Sequence, residues 1–592
     1  MAIARKSLAL ISGFFVFISI GIYSSRNSSI FYRLLSQWNC LNSSLPICNP
    51  ANAETVQPTA TGKNGVVVST QQEASQIGLQ VLKDGGNAID AAVAVGYALA
   101  VSDPCCGNLG GGGFMLIRLA DGRETFINFR ETAPGNATRD MYLDETGKII
   151  EDLSTKGYLA VGVPGTVKGL DYALTKYGTM SRDRLISPAV KLARDGYVLQ
   201  QGDVEIFEAG KEKLLEPNVA EIFLKDGEIY QPGEVLIQND LANTLSLIAK
   251  QGAEAFYQGE TAEKIVAASQ AHDGILSLAD FTNYRVSEDK PVSCQYRGYR
   301  VISAPPPGGG ITVCQILNIL SGYDLKALGW RTPASLHYLF ASMLLAFGDR
   351  NSYLGDPNFV NNPVEKLLSE EYAASLRAKI TYSAIDPQSV YNNIQPEGTN
   401  TTHYSVMDKW GNAVAVTYTI NSYFGAGVMA PGTGFLLNNE MDDFTSKLGA
   451  ANQFGLRQGA ANLIEPGKQP LSSMSPTIVT QNERVFLVTG SPGGSTIPTT
   501  VVQVITNAID YGMNLNDAVN TSRLHYQGFP DRILSEPNAV TPETIRGLRL
   551  RGYNIIPFRT WGAAESILVN PQTGLLEGVN DIRKPAGKAL AY

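Results

Sequence analysis

Histidine and cysteine are scarce in this chain: four and six residues respectively out of 592. None of His272, His337, His403 and His525 stands at metal-ligand spacing from another, and C-x-x-C is absent. Cys294 and Cys314 lie far apart, so a zinc site has little support. A bridge between Cys40 and Cys48 would close only a small loop. Vicinal Cys105 and Cys106 are poorly placed to bond to each other, so the mature domain does not read as a disulfide scaffold. Charge is also sparse, at 17 % of residues with a net of −8 and no Lys/Arg cluster, which excludes a nucleic-acid partner. There is no G-x-x-x-x-G-K-[ST] phosphate loop. Gly107-Asn108-Leu109-Gly110-Gly111-Gly112-Gly113 follows a helix pattern, not a strand, and fails as a dinucleotide fingerprint. The serine-hydrolase elbow G-x-S-x-G is missing too, and nothing calls for a cofactor.

Long apolar runs are equally rare. The longest, residues 8–23 behind Arg5 and Lys6, falls short of the about 20 residues a membrane span needs. With Ala51-Asn52-Ala53 further on, residues 1–53 read as a signal peptide or membrane anchor with leader. The expected location is periplasmic or extracellular, with the apolar segment able to hold the chain at a membrane. Residues 55–62 read as a polar linker. What remains is long enough for a large core, and 44 % hydrophobic residues describe a globular protein.

Helical spacing of apolar residues marks 71–83, 87–101, 167–176, 185–194, 262–271, 313–320 and 335–347. The middle of the chain therefore reads as mainly helical. Segments 115–119 and 125–129 alternate around Asp121-Gly122, a hairpin signal. After residue 401 the pattern turns to strands, 403–408 and 413–419, joined by Lys409-Trp410-Gly411 with glycine where the loop wants positive φ. Pairing Asp408 with Asn412 fixes a register that sets Thr401 opposite Thr419. Segment 485–489 reads as a strand and 497–511 as a helix. The intervening Gly490-Ser491-Pro492-Gly493-Gly494-Ser495-Thr496 brings backbone N–H groups to a helix start, suited to a phosphate or to the oxyanion of an acyl-transfer intermediate.

Asn400-Thr401-Thr402-His403-Tyr404-Ser405 carries the most chemistry. Asn400-Thr401-Thr402 is also a glycosylation sequon, one of several in the chain. A threonine that begins a new chain has its own α-amine as a base for its hydroxyl, so a cut between Asn400 and Thr401 would create a nucleophile.

Several motifs, in order, resemble the gamma-glutamyltranspeptidase (glutathione hydrolase) family. They are Gly110-Gly111-Gly112-Gly113-Phe114, Phe129-Arg130-Glu131-Thr132-Ala133-Pro134, Val161-Gly162-Val163-Pro164-Gly165-Thr166-Val167, Gly252-Ala253-Glu254-Ala255-Phe256-Tyr257, Thr401-Thr402-His403-Tyr404-Ser405, Leu437-Asn438-Asn439-Glu440-Met441-Asp442-Asp443-Phe444, Pro470-Leu471-Ser472-Ser473-Met474-Ser475-Pro476 and Gly490-Ser491-Pro492-Gly493-Gly494. The resemblance implies an α+β N-terminal-nucleophile hydrolase fold, a four-layer αββα sandwich. It implies a precursor cut into a large subunit, 54–400, and a small subunit, 401–592, that stay paired. Thr401 matches the family's nucleophile, Thr419 its second threonine, and Gly493 and Gly494 its oxyanion hole. Arg130 matches the arginine for the substrate's α-carboxylate, helped by Ser472 and Ser473; its planar fork suits that partner. Asn421, Glu440 and Asp443 match the groups that receive the α-ammonium.

The substrates so implied are glutathione and other γ-glutamyl compounds, with water, amino acids or short peptides as acceptors. Segment 448–459 resembles the lid loop of bacterial members, with Phe454 where some have tyrosine; a phenyl ring cannot donate a latching hydrogen bond to Asn421, though it can cover the pocket. Two alternatives are a cephalosporin-acylase-like hydrolase of glutaryl amides, disfavoured by Asn421, Glu440 and Asp443, and an unprocessed, catalytically silent secreted binding protein.

Overall fold

The structure is a computed structural model that describes residues 59–390 and 401–592. The leader, Cys40 and Cys48, and Asn400 lie outside the described residues.

Fourteen strands form two large antiparallel sheets. In chain order they are β1 (Thr59–Gly62), β2 (Gly65–Ser69), β3 (Gly112–Arg118), β4 (Glu124–Phe129), β5 (Ser287–Asp289), β6 (Val292–Tyr296), β7 (Tyr299–Ser303), β8 (Thr402–Asp408), β9 (Ala413–Thr419), β10 (Thr477–Gln481), β11 (Arg484–Thr489), β12 (Ser566–Val569), β13 (Leu576–Val579) and β14 (Lys588–Ala591). One sheet runs β1-β13-β12-β11-β10-β7-β6, the other β14-β2-β8-β9-β3-β4-β5. Both mix strands from before and after residue 401.

Alternation along each strand makes two cores, since successive side chains point to opposite faces. Val66, Val68, Leu116, Met407 and Ala415 meet Ile302, Ile478 and Val488 between the sheets. Val67, Met115, Ile117, Val406, Val414 and Val416 turn the other way, into a helical layer. That layer contains α1 (Gln72–Lys83), α2 (Ala88–Ser102) and α3 (Thr166–Tyr177). The outer face of the first sheet is covered by α4 (Gly310–Leu320), α5 (Pro333–Tyr353) and α6 (Ile497–Ile509). The architecture is thus α+β, helices–sheet–sheet–helices.

Helix α2 is the pillar behind the candidate nucleophile. Asn87 accepts hydrogen bonds from the amides of Ile89 and Asp90, and the Asp90 carboxylate accepts one from the Asn87 amide, a capping box. Every residue of α2 is buried. Tyr404 and Tyr418, on β8 and β9, donate their hydroxyls to the carbonyls of Ala92 and Gly96, both at 2.9 Å. The β8–β9 register sets Thr402 against Tyr418 and His403 against Thr417, as the hairpin loop predicts.

Three expectations are corrected. Residues 59–62 are an edge strand, not a linker; β1 pairs with β13, completing a sheet whose other strands lie hundreds of residues away. The middle of the chain contains the β6–β7 hairpin as well as helices. Among the described residues two disulfides are present: Cys294–Cys314 ties β6 to α4, and Cys105–Cys106 joins neighbours. The ring between adjacent cysteines closes with their Cα atoms 3.7 Å apart, nearer than ordinary bridges need. Among the described residues, no helix is long and apolar enough to cross a membrane.

Candidate active site

Thr401 stands immediately before β8 and is 5 % exposed. The hydroxyl of the next residue, Thr402, donates to Asp103 Oδ2 at 2.9 Å, and Thr70 donates to the same oxygen at 2.8 Å. Asp103 caps the end of α2, so the chain leaving Thr401 is pinned to residues far earlier in sequence. The register carries Thr419, the last residue of β9, opposite Thr401. Thr419 Oγ1 accepts a hydrogen bond from the Asn421 amide at 2.8 Å. That bond holds the turn in which Asn421 adopts φ of 76° and donates its side-chain amide to the Asn439 carbonyl at 3.0 Å. The carbonyls of Cys106 and Cys105 receive the amides of Ile420 and Phe424, at 3.1 and 2.9 Å, so the vicinal disulfide braces the Asn421 turn.

His403 is not a base for this site. Burial drives its pKa down to about 3, keeping the ring neutral. Its nitrogens contact the hydroxyls of Thr417 and Ser405, at 2.8 and 3.2 Å. A Cβ on Gly490 would come within 2.3 Å of this ring, so the histidine backs the glycine-rich loop from behind.

On one side of Thr401 lies a small cavity of about 20 Å³. Thr401, Thr419, Asn421, Arg130, Glu440, Asp443, Ser472, Ser473 and Gly494 all border it. Arg130 follows β4 and is fully buried. Its guanidinium donates to Glu440 Oε1 and, at 2.5 Å, to Asp443 Oδ2; Glu131 Oε2 lies 3.4 Å away. The residues expected to hold carboxylate and ammonium separately therefore pair with one another. Arg350, in the last turn of α5, adds a second buried guanidinium and donates to Ser473 Oγ at 3.1 Å.

Three buried carboxylates thus face two guanidinia. Burial is the main force on each acid and pushes its pKa up, with Arg130 opposing. Glu131 is pushed up to about 7, Glu440 well above the ordinary range, and Asp443 upward. Burial works against the Arg130 charge, yet the three acids more than compensate and raise its pKa. With three acids facing two guanidinia, an added cation would favour their ionised forms.

On the other side of Thr401 the cavity opens to about 210 Å³ and is bordered by Gly493, Trp561, Lys584 and Arg559. Thr401 is the one lining residue common to both cavities. Gly493 and Gly494, at φ of 137° and 54°, form the seam between them just before α6, a conformation open to glycine. Together these parts provide a hydroxyl, a loop rich in backbone amides beside it, and a polar pocket on each side.

The lid segment closes over the small cavity without a tyrosine. Asn452 donates to Asp443 Oδ1 at 3.3 Å, the Gln453 amide to Asp442 at 2.9 Å, and Ser422 to Gln453 Oε1 at 2.9 Å. Phe454 is 6 % exposed and packs with Leu456 in the core beneath α5.

Sequence reasoning missed Arg350, Glu131, Asp103 and Thr70. Glu131 stood inside a recognised motif next to Arg130, a signal that could have been used. Arg350 ends a long apolar helix, where a C-terminal arginine is ordinary. Asp103 with Cys105 and Cys106 is the only metal-like cluster among the described residues, and its sulfurs are bonded to each other.

A buried hydroxyl flanked by a glycine seam, between an ion-paired pocket and an open cleft, defines an acyl-transfer enzyme of the hydroxyl-nucleophile class. The sequence model of the Gamma-glutamyltranspeptidase family matches residues 74–591. The chain is 51 % identical over 554 residues to a glutathione hydrolase proenzyme from Pseudomonas sp. (strain A14), covering 90 % of this chain and 96 % of that one. It is 45 % identical over 539 residues to the Escherichia coli (strain K12) glutathione hydrolase proenzyme, covering 90 % and 92 %. In fold it resembles a cephalosporin acylase from Bacillus halodurans, with a TM-score of 0.81 at 29 % identity over 93 % of this chain and 99 % of that one. The chain belongs to the gamma-glutamyltranspeptidase family.

Proposed function

We propose that Thr401 carries the chemistry of this autoprocessing γ-glutamyl hydrolase and transferase, which acts on glutathione and its conjugates. The observation that supports it most is the position of Thr401, bordering both a buried charged pocket and an open cleft beside Gly493 and Gly494. In the precursor, the Thr401 hydroxyl attacks the Asn400 carbonyl and water hydrolyses the resulting ester. Residues 54–400 become the large subunit and 401–592 the small one. The fragments stay together because β8 and β9 lie between β2 and β3 of the earlier segment.

In the mature enzyme the freed α-amine takes the Thr401 hydroxyl proton as the oxygen attacks the γ-glutamyl carbonyl. Backbone amides at Gly493 and Gly494 stabilise the oxyanion. The intermediate collapses to a Thr401 ester and releases the amine, and water or an amino acid or short peptide then takes the acyl group. Thr419 positions the nucleophile from the facing strand.

Donor recognition is an exchange of partners. The substrate α-carboxylate takes the place of Glu440 and Asp443 on Arg130, with Ser472 and Ser473 assisting. Its ammonium takes the place of the guanidinium before Glu440, Asp443 and Asn421. No buried charge is left unpaired, which is what would make such a pocket costly. The fold likeness to a cephalosporin acylase raises glutaryl amides as donors. A glutaryl group has no ammonium for Glu440 and Asp443, so this reading is the weaker. Export fits the leader pattern and the two disulfides, which persist in oxidising compartments.

The test is release of a chromogenic amine from γ-glutamyl and glutaryl anilides, with a denaturing gel and N-terminal sequencing. Two fragments, the smaller starting at Thr401, and a strong γ-glutamyl preference are expected. A processed protein that releases no amine would sink the proposal.

A further inference from the structure

Asp103 stands in an electrostatically poor place for an acid. It follows directly on α2, where a helix presents its negative end, and is 2 % exposed. Among the described residues, its carboxylate receives hydrogen bonds from two neutral hydroxyls, those of Thr70 and Thr402, both on Oδ2. The other oxygen lies 3.1 Å from Cys105 Sγ, which is in the disulfide and has no proton to give. Lys584 feels the charge at longer range, as one of the anions that raise its pKa. A local rule broken in a buried place points to a gain elsewhere. Here the gain is the fixing of Thr402.

Thr70, Asp103 and Thr402 make a closed triangle. The two hydroxyl oxygens lie 2.9 Å apart, and all three residues are buried. The Thr402 methyl seats against backbone, since a Cβ on Gly107 would come within 2.4 Å of its Cγ2. Thr402 shares the helix-facing side of β8 with Tyr404 and Val406, and alternation puts Thr401 on the opposite face. Thr401 itself precedes the strand, whose pairing starts at Thr402 with β9 and at Tyr404 with β2. Asp103 thus grips the chain from one face, one peptide away from the hydroxyl that works on the other. The anchor on Thr402 sets where the backbone of the nucleophile stands.

We propose that Asp103 is a positioning residue for Thr401, acting through Thr402 with Thr70 as a second support. In the precursor it aims the Thr401 hydroxyl at the Asn400 carbonyl, and in the mature enzyme at the donor carbonyl. Asp103 neither gives nor takes a proton and has no part in bond exchange. The proposal rests on Thr401 being the nucleophile.

The experiment removes single groups without changing shape. Thr402→Val and Thr70→Val each take one hydroxyl from Asp103 Oδ2 and leave every charge in place, but only Thr402 is joined to the nucleophile. The readouts are the rate of self-cleavage on a denaturing gel, kcat and KM of processed protein on a neutral γ-glutamyl anilide, and the thermal midpoint. Both variants should lower the midpoint alike. Thr402→Val should slow self-cleavage and lower kcat about 10–100-fold, as displacing a reacting oxygen by up to about 1 Å does, with KM little changed. Thr402→Ser should restore both rates, and Thr70→Val should lower them far less. Asp103→Asn, which retains an acceptor oxygen, should fall between Thr402→Val and wild type. The proposal is overturned if Thr402→Val cuts and turns over like wild type, or if Thr402→Val and Thr70→Val lose rate and stability in parallel. Asp103→Asn at wild-type rates would overturn it equally, which keeps the test open if Thr402→Val does not fold. A wild-type enzyme that releases no amine would instead overturn the role of Thr401.

Discussion

The two sides of Thr401 hold charge in opposite ways. On the donor side, Arg130 is fully buried and bound to Glu440 and Asp443, with Glu131 beside it, in a cavity of about 20 Å³. On the other side, Lys584 and Arg559 make no ion pair among the described residues and border an open cleft of about 210 Å³. A saturated, buried site accepts only a ligand that restores every pair it breaks, so it is strict. An unsaturated, solvated site gains from any matching anion, so it is permissive.

The largest effect belongs to the shared residue. Thr401→Ala should leave one uncut band on a denaturing gel and lower kcat at least ~10⁴-fold, as deletion of a nucleophile does. Full activity in an unnicked chain would remove the basis for comparing the two sides.

Arg130→Ala should strike the donor side alone. It leaves buried carboxylates unpaired, so kcat/KM for the anilide should fall about 10²–10³-fold and stability by about 3–5 kcal/mol. Self-cleavage should suffer much less, read from the fragment ratio on a gel. Equal failure of processing and donor binding would show that Arg130 holds the fold rather than the substrate.

A pH titration of stability sharpens the contrast. Glu131 is raised from 4.5 to about 7 by burial. Its folded form binds a proton that its unfolded form has lost, so stability is fully present below about pH 4.5 and is lost as pH rises towards 7. Glu131→Gln should flatten denaturant midpoints across that window. Lys584, whose pKa is raised above 10.5, should contribute no slope there, because it is charged in both states. An unchanged slope in Glu131→Gln would contradict the assignment.

The smallest effect should come from Phe454→Tyr. Asn452, Gln453 and Ser422 already hold the lid, so an added hydroxyl should alter the hydrolysis-to-transfer ratio less than about twofold, well under one tenfold step of 1.4 kcal/mol. A large change would mean that those polar contacts do not keep the lid closed.

Much of the site was readable along the chain because its parts come in short local pieces. Lys409-Trp410-Gly411 dictated the β8–β9 register and hence the placing of Thr419 against Thr401, since a three-residue loop permits few pairings. Apolar spacing over 87–101 announced α2, which spans Ala88–Ser102. Other features were invisible for equally physical reasons. Strand β1 looked like a linker because Thr59-Ala60-Thr61-Gly62 has little apolar pattern, and its partner Val579 lies at the far end of the chain. Cys105–Cys106 defied the usual spacing rule. Arg350, just past the 335–347 helix pattern, carried no local signal, and only folding brought it to Ser473.

By itself, then, the sequence determined the strand pairing around the nucleophile, the glycine seam and the kinds of group available for an amide substrate, all products of neighbours within a few residues. Tertiary structure alone decided that Arg130 would pair with Glu440 and Asp443, that Asp103 would anchor Thr402, and that Asp103, Asp203 and Glu565 would gather around Lys584. Electrostatic partnership depends on distance and burial, and those exist only once segments hundreds of residues apart have packed together.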